Sequence, residues 1–135
     1  MPSNAYDARV RVRKNGTGEF LAQIVGNDNA NITQASVSAI AYTIWELDED
    51  DEDARTAVTG HTAVALTIAS VVYDTLQTGS KWTHDATGYN FAYTPVISTS
   101  AAFAKAGEDK YLIEYSFTPA DGGQVFKVGF KVSVI

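Results

Sequence analysis

Cysteine is absent from the 135 residues. That excludes disulfides, thiolate zinc sites and thiol nucleophiles. Histidine is nearly absent, with His61 and His84 the only carriers of imidazole chemistry. Long apolar runs are missing too, and none approaches the ~20 residues of a membrane helix. The opening MPSNAYDARV has no apolar core of the signal-peptide kind, so the expectation is a chain made in the cytoplasm. No glycine-rich loop leads into a Gly-Lys-Ser/Thr cradle for phosphate. No nucleophile elbow occurs, and His84-Asp85 are neighbours whose side chains point apart on a strand. No repeat of solenoid or propeller length is present. These absences point away from an enzyme, and no cofactor or small-molecule substrate is expected.

Charge is also scarce, at 19% of residues, against 45% hydrophobic. That balance belongs to a folded chain rather than a disordered one. The net charge of −6 is a local property. Glu46 and the run Asp48 to Asp53 hold seven of the 16 acidic residues, and without them acidic and basic residues nearly balance. The run offers hard oxygen ligands, and Glu46, Asp48 and Asp50 are its candidate calcium ligands. It lacks the glycine and the spacing of an EF-hand loop, so a solvated acidic loop is the competing reading, and no metal is assigned.

The basic side is concentrated as well. Arg9, Arg11, Arg13 and Lys14 are four of the ten basic residues. Strand alternation puts the three arginines on one face, ~6.5–7 Å apart. A stripe on one strand of an acidic chain is a poor footprint for nucleic acid, and no basic amphipathic helix favours a membrane. The stripe fits the carboxylates of a protein neighbour, and Arg9, Arg11 and Arg13 are candidate interface residues. A plain solvated strand face is the alternative.

What the sequence has in abundance is period-two alternation. The clearest case is KYLIEYSFTPADGGQVFKVGFKVSVI, residues 110–135. Tyr111, Ile113, Tyr115 and Phe117 share one face of its first run, and Phe126, Val128, Phe130, Val132 and Val134 one face of its second. Asp121-Gly122-Gly123 supplies the turn. Earlier, Tyr6 to Arg13 alternates, Lys14 to Gly18 turns, and Phe20 to Val25 returns. In 39–47, Ile40, Tyr42 and Ile44 lie on one face and Ala41, Thr43 and Trp45 on the other. Residues 62–68 and 88–94 read as further strands. Residues 32–38 fit a helical turn with Thr33 as its cap or an extended link, and 69–76 lean towards a short helix. Residues 1–5 read as an arm ahead of a single domain, 6–135.

The sum is an all-β chain, an immunoglobulin-like antiparallel β-sandwich of about seven strands with one or two short helices. The Phe126/Phe130 face is expected across the core from Ile40/Tyr42/Ile44, with Trp45 a candidate for the central core position. Seven tyrosines and two tryptophans are rich in residues that favour interfaces and sugar platforms. Trp82, in a polar connection, is the candidate interface or sugar contact, with Tyr89 and Tyr93 beside it. Capping an open end of the sandwich is its structural alternative.

The segments WTHDATGYNF (82–91) and YLIEYSFTPADGGQVFKVGFKVSV (111–134) resemble small Ig-like β-sandwich proteins of tailed bacteriophages and prophages. The likeness extends to residues 20–47. The resemblance implies a virion structural component: a capsid decoration (cement) protein, or a head–tail or tail accessory protein. Its partners would be phage capsid or tail proteins and further copies of itself, and its place the virion. The acidic run 48–53 departs from that pattern. A carbohydrate- or host-surface-binding module is the alternative function.

Overall fold

A computed structural model describes residues 8–26, 29–47, 54–79, 86–98 and 100–135. The strands among them are β1 (Ala8–Val12), β2 (Phe20–Ala22), β3 (Val37–Leu47), β4 (Arg55–Ala57), β5 (Val64–Leu66), β6 (Val72–Gln77), β7 (Tyr89–Tyr93), β8 (Gly107–Pro119) and β9 (Phe126–Val134). One helical turn, α1 (Ile68–Val71), precedes β6. The larger sheet runs β1-β9-β8-β3-β4, with β5 also paired to β3, and the smaller runs β2-β7-β6. Two packed sheets of this kind make an immunoglobulin-like sandwich, so the all-β expectation holds with more strands than seven.

The chain's two best periodic runs make its best ladder. β8 and β9 pair antiparallel from Tyr111↔Val132 to Phe117↔Phe126. The turn between them closes at Gly122, φ 82°, with the Asp121 carboxylate accepting the Gly123 N–H at 2.8 Å. β3 then pairs along the other side of β8, from Val37↔Pro119 to Glu46↔Tyr111. The alternation of β3, β8 and β9 therefore lands on a common inner face, buried at Ile40, Tyr42, Ile44, Tyr111, Ile113, Tyr115, Phe117, Phe126, Val128, Phe130 and Val132. A sheet with one apolar face must be covered, and the smaller sheet covers it with Phe20, Ala22 and Phe91.

Aromatic rings carry the contact between layers. Phe91 meets Tyr115 edge-on at 4.7 Å and Phe117 at 5.6 Å. Phe20 meets Phe130 at 5.4 Å and Tyr115 at 6.5 Å. In antibody domains a disulfide joins the strands that correspond to β2 and β8. Here Phe20 and Tyr115 make that connection, and tilted ring pairs contribute roughly 0.5–1.5 kcal/mol each beyond the area they bury. Phe103, the one aromatic residue between β7 and β8, is fully buried against Tyr111 at 5.5 Å.

Five expectations are corrected. First, β1 and β2 are not a hairpin. β1 pairs parallel with β9 while β2 pairs with β7 in the other sheet, so the sandwich is not wholly antiparallel. The intervening turn is held by long-range bonds, Lys14 N–H to Ile135 C=O and Asn15 N–H to Phe103 C=O, both 2.8 Å. Second, the Phe126/Phe130 and Ile40/Tyr42/Ile44 faces are not opposed. β9 and β3 flank β8 within one sheet. Third, the helix expected over 69–76 ends at Val71, and 72–77 is strand β6. The β-branched pair Val71-Val72 is stiff at χ1 and fits an extended backbone beside β7. Fourth, Trp45 lies on the outer face of β3, half-buried, and takes no part in the core. Fifth, residues 32–38 cap from the far end: Ser36, not Thr33, supplies the hydroxyl, which accepts the Thr33 N–H at 2.8 Å.

One glycine is demanded by close approach. Gly88 has φ 106°, and a Cβ there would sit 2.6 Å from the Gln77 carbonyl oxygen. The backbone of β6 and the entry to β7 pass too closely for any side chain, and the register between these strands shifts there.

Candidate functional site

Two regions place polar chemistry in this fold: a network at one flank of the core, and the outer face of the larger sheet with its free edge. The network centres on His61. This side chain is 2% exposed. Its Nε2 lies 2.9 Å from the Ser100 carbonyl, which can only accept, so Nε2 carries the proton. In the neutral ring Nδ1 then accepts the Tyr42 hydroxyl at 2.8 Å. The His61 backbone is tied as well, to Ile44 N–H at 2.8 Å and to Val58 C=O at 3.0 Å. Burial, followed by the hydrogen bond with Tyr93 and its charge, pushes the Tyr42 phenol far above its ordinary range. Burial, then the charges of Tyr93 and Tyr42, does the same to Tyr115. Among the described residues the Tyr115 hydroxyl has no hydrogen-bond partner. These bonds hold β3, the 58–61 segment and the 100–103 segment together.

A second buried polar residue carried no signal in the sequence. Asn90, 1% exposed on β7, accepts the Ile24 N–H at 2.7 Å. It donates to the Ile24 carbonyl at 3.0 Å and the Ile32 carbonyl at 3.3 Å. It thereby pins both ends of the 24–32 excursion. Only its strand position between Tyr89 and Phe91 hinted at burial, and alternation would have turned it outward.

The outer face collects charged and aromatic groups around β3, β8 and β9. The Arg55 guanidinium lies 4.4 Å above the Trp45 ring. Glu114 sits between Arg55, at 4.0 Å, and Lys127, at 3.8 Å. Lys105 pairs with Glu46 at 3.1 Å, so the one candidate calcium ligand that is described holds a lysine. Among the described residues no group of three His, Cys, Asp or Glu gathers to hold a metal. Asp48, Asp50, Trp82 and His84 lie outside the described residues, as does the 1–5 arm.

Arg9 and Arg11 of the arginine stripe fall on β1, the end strand of the larger sheet, and Arg13 lies just beyond it. Arg11 and Arg13 are exposed. Arg9 stands in register with Lys131, and its side chain lies outside the described residues. The aromatic platform is not formed as expected: Tyr89 is 6% exposed, and Tyr93 turns inward, its ring 5.2 Å from that of Tyr42. A recess of about 430 Å³ opens at one end of the sandwich, lined by Ile32, Ser36, Val37, Pro119, Gln124 and Phe126. Its Ser36 hydroxyl and nearby Asp121 carboxylate are occupied by local turn bonds. No helix among the described residues is long and apolar enough to cross a membrane. No protein-family model, curated protein or solved structure matches the chain.

Proposed function

We propose that this chain is a non-enzymatic structural protein of a tailed-phage virion, a capsid decoration (cement) protein that adds onto neighbouring subunits. A head–tail or tail accessory role is the nearest variant. The phage assignment rests on the resemblance of residues 82–91 and 111–134. The assembly part is carried by one observation: Arg11 stands exposed on the end strand of the larger sheet, and Arg13 stands exposed just beyond it. Guanidinium groups on a rigid strand are suited to carboxylates of a protein neighbour, because their planar fork binds them in two parallel bonds. The inner face is committed to packing, and the two buried polar side chains, His61 and Asn90, are committed to holding loops. Binding only to the assembled shell stabilises that shell by mass action.

The carbohydrate-binding reading loses Tyr89 and Tyr93 as platform residues and retains only Trp82. The test is co-assembly. The purified chain is mixed with phage shells lacking decoration protein, and binding is followed by sedimentation at low and high salt. Salt-sensitive binding that the Arg11→Glu/Arg13→Glu pair weakens is the expected result. Binding that ignores both salt and charge reversal removes the electrostatic clamp. Absence of binding to any shell, with retention on a glycan array lost in Trp82→Ala, turns the assignment to the sugar-binding module.

A further inference from the structure

The parallel pairing of β1 settles which of its backbone groups face outward. The Val12 carbonyl accepts the Ile135 N–H at 2.9 Å, and the Lys14 N–H donates to the Ile135 carbonyl at 2.8 Å. Residues of even number therefore turn their N–H and C=O towards β9. On a strand both backbone groups of one residue point the same way and neighbours point oppositely. The odd residues, Arg9, Arg11 and Arg13, thus aim their backbone groups away from the sheet. β1 is the terminal strand, so among the described residues nothing continues the ladder there. The Arg13 carbonyl is taken by the Gly16 N–H at 2.9 Å in the following turn. The Arg11 N–H and C=O and the Arg13 N–H remain as an open template.

The same residues set side chains on the solvent face. Val10 and Val12 pack on the core, so the intervening Arg11 projects to the opposite side, where it is exposed. Arg11 also lines a groove of about 500 Å³ with Val10, Glu108, Asp109, Ser133 and Ile135. Negative charge in that groove comes from Glu108 and Asp109 at the start of β8. The positive charge of Arg13 and Lys14 lies beyond Arg11 at the other end of β1.

From this we infer that the free edge of β1 is a strand-addition site for an extended acidic segment of a partner protein. The segment would hydrogen-bond to the Arg11 and Arg13 backbone. Its alternate carboxylates, two residues apart, would meet the Arg11 and Arg13 guanidiniums, because both strands repeat at ~6.5–7 Å per residue pair. Pairing of β1 with β1 of a second copy is disfavoured, since it would bring the arginine rows together. The inference rests on the assembly reading above and adds the mode of attachment.

The test separates mode from charge. The probe is a short synthetic peptide alternating glutamate with valine, and binding to the whole chain is read by fluorescence anisotropy. Arg11→Ala deletes the guanidinium alone, whereas Arg11→Pro deletes it together with the outward N–H and leaves the β1–β9 ladder intact, because that N–H does not face β9. Both variants are expected to keep the wild-type circular dichroism, Arg11→Ala losing about tenfold in affinity and Arg11→Pro about tenfold more. A lysine–valine peptide is expected not to bind. Equal affinities for folded Arg11→Pro and Arg11→Ala, both below wild type, would overturn strand addition while leaving the charge-based clamp standing. Affinity unchanged from wild type in both would overturn both. Concentration-dependent self-association without peptide, abolished by Arg11→Pro, would overturn the foreign acidic strand in favour of a second copy.

Discussion

The two faces of the larger sheet are built from alternate residues of the same strands, yet they differ in what holds them. On the inner face Tyr115 touches Phe20, Phe91 and Phe130 within 6.5 Å and is fully buried. On the outer face, one residue away, Glu114 sits between two cations at 3.8 and 4.0 Å. Ring packing away from water contributes in proportion to area removed from solvent. Half-exposed ion pairs contribute little, because water screens them and ordering long side chains costs entropy. The comparison teaches that stability is stored between the sheets, while the outer face contributes little to it.

The sharpest way to break that comparison is Phe91→Ala. It leaves a void beside Tyr115 and Phe117, and a loss of about 3–5 kcal/mol in urea unfolding is expected. A loss as small as that of an outer-face variant would refute the division. Next comes Asn90→Ala, which strands the buried Ile24 N–H and the Ile32 carbonyl. About 2–3 kcal/mol should be lost, since an unpaired buried polar group keeps its full desolvation cost. Native-state hydrogen exchange should show the 24–32 segment opening first.

Tyr115→Phe runs the other way. Its hydroxyl is buried without a partner among the described residues, so removing it should stabilise by about 1 kcal/mol, read as a higher urea midpoint. The same variant sharpens a pH prediction. Burial holds the Tyr115 and Tyr42 phenols above their ordinary range, whereas in the unfolded chain they ionise near ~10. Their contribution is thus fully present below that pH and is lost as pH climbs through and beyond it. Each phenol kept protonated in the fold adds about 1.4 kcal/mol per pH unit to the alkaline decline. Tyr115→Phe should make that decline shallower by one such increment, and an unaltered slope would show that Tyr115 already ionises in the native state. The smallest effect is expected for Arg55→Ala. It removes a cation above Trp45 and a 4.0 Å contact to Glu114, and about 0.5–1 kcal/mol should be lost, less at high salt.

Alternation in 110–135 was enough to place every inner residue of β8 and β9, because a strand buried on one side must repeat every second residue. The same pattern put Trp45 opposite Ile44, and the structure agrees; it was the analogy to an antibody core that misplaced it. The 69–76 segment shows the limit of local reading. Ser70 and Asp74 permit a helical turn, but pairing with β7, decided by distant residues, ends the helix at Val71. Of the candidate site, Arg11 and Arg13 were legible as an exposed alternating pair. Their position at a sheet end was not, because it depends on β1 crossing to β9 rather than folding back on β2.

By itself, the sequence determined the strand faces, the turns at Asn15 and Gly122, and the lack of thiol chemistry, since each follows from residue type and neighbours a few positions away. The tertiary structure alone decided which strands are neighbours. It laid β1 parallel to β9 and carried β2 to the opposite sheet. It joined His61 to Tyr42 and Ser100, and Asn90 to Ile24 and Ile32. It also left the backbone of Arg11 facing outward, with no strand beyond it among the described residues. Those pairings join residues far apart in the chain, and no local periodicity encodes which of several compatible apolar faces will meet.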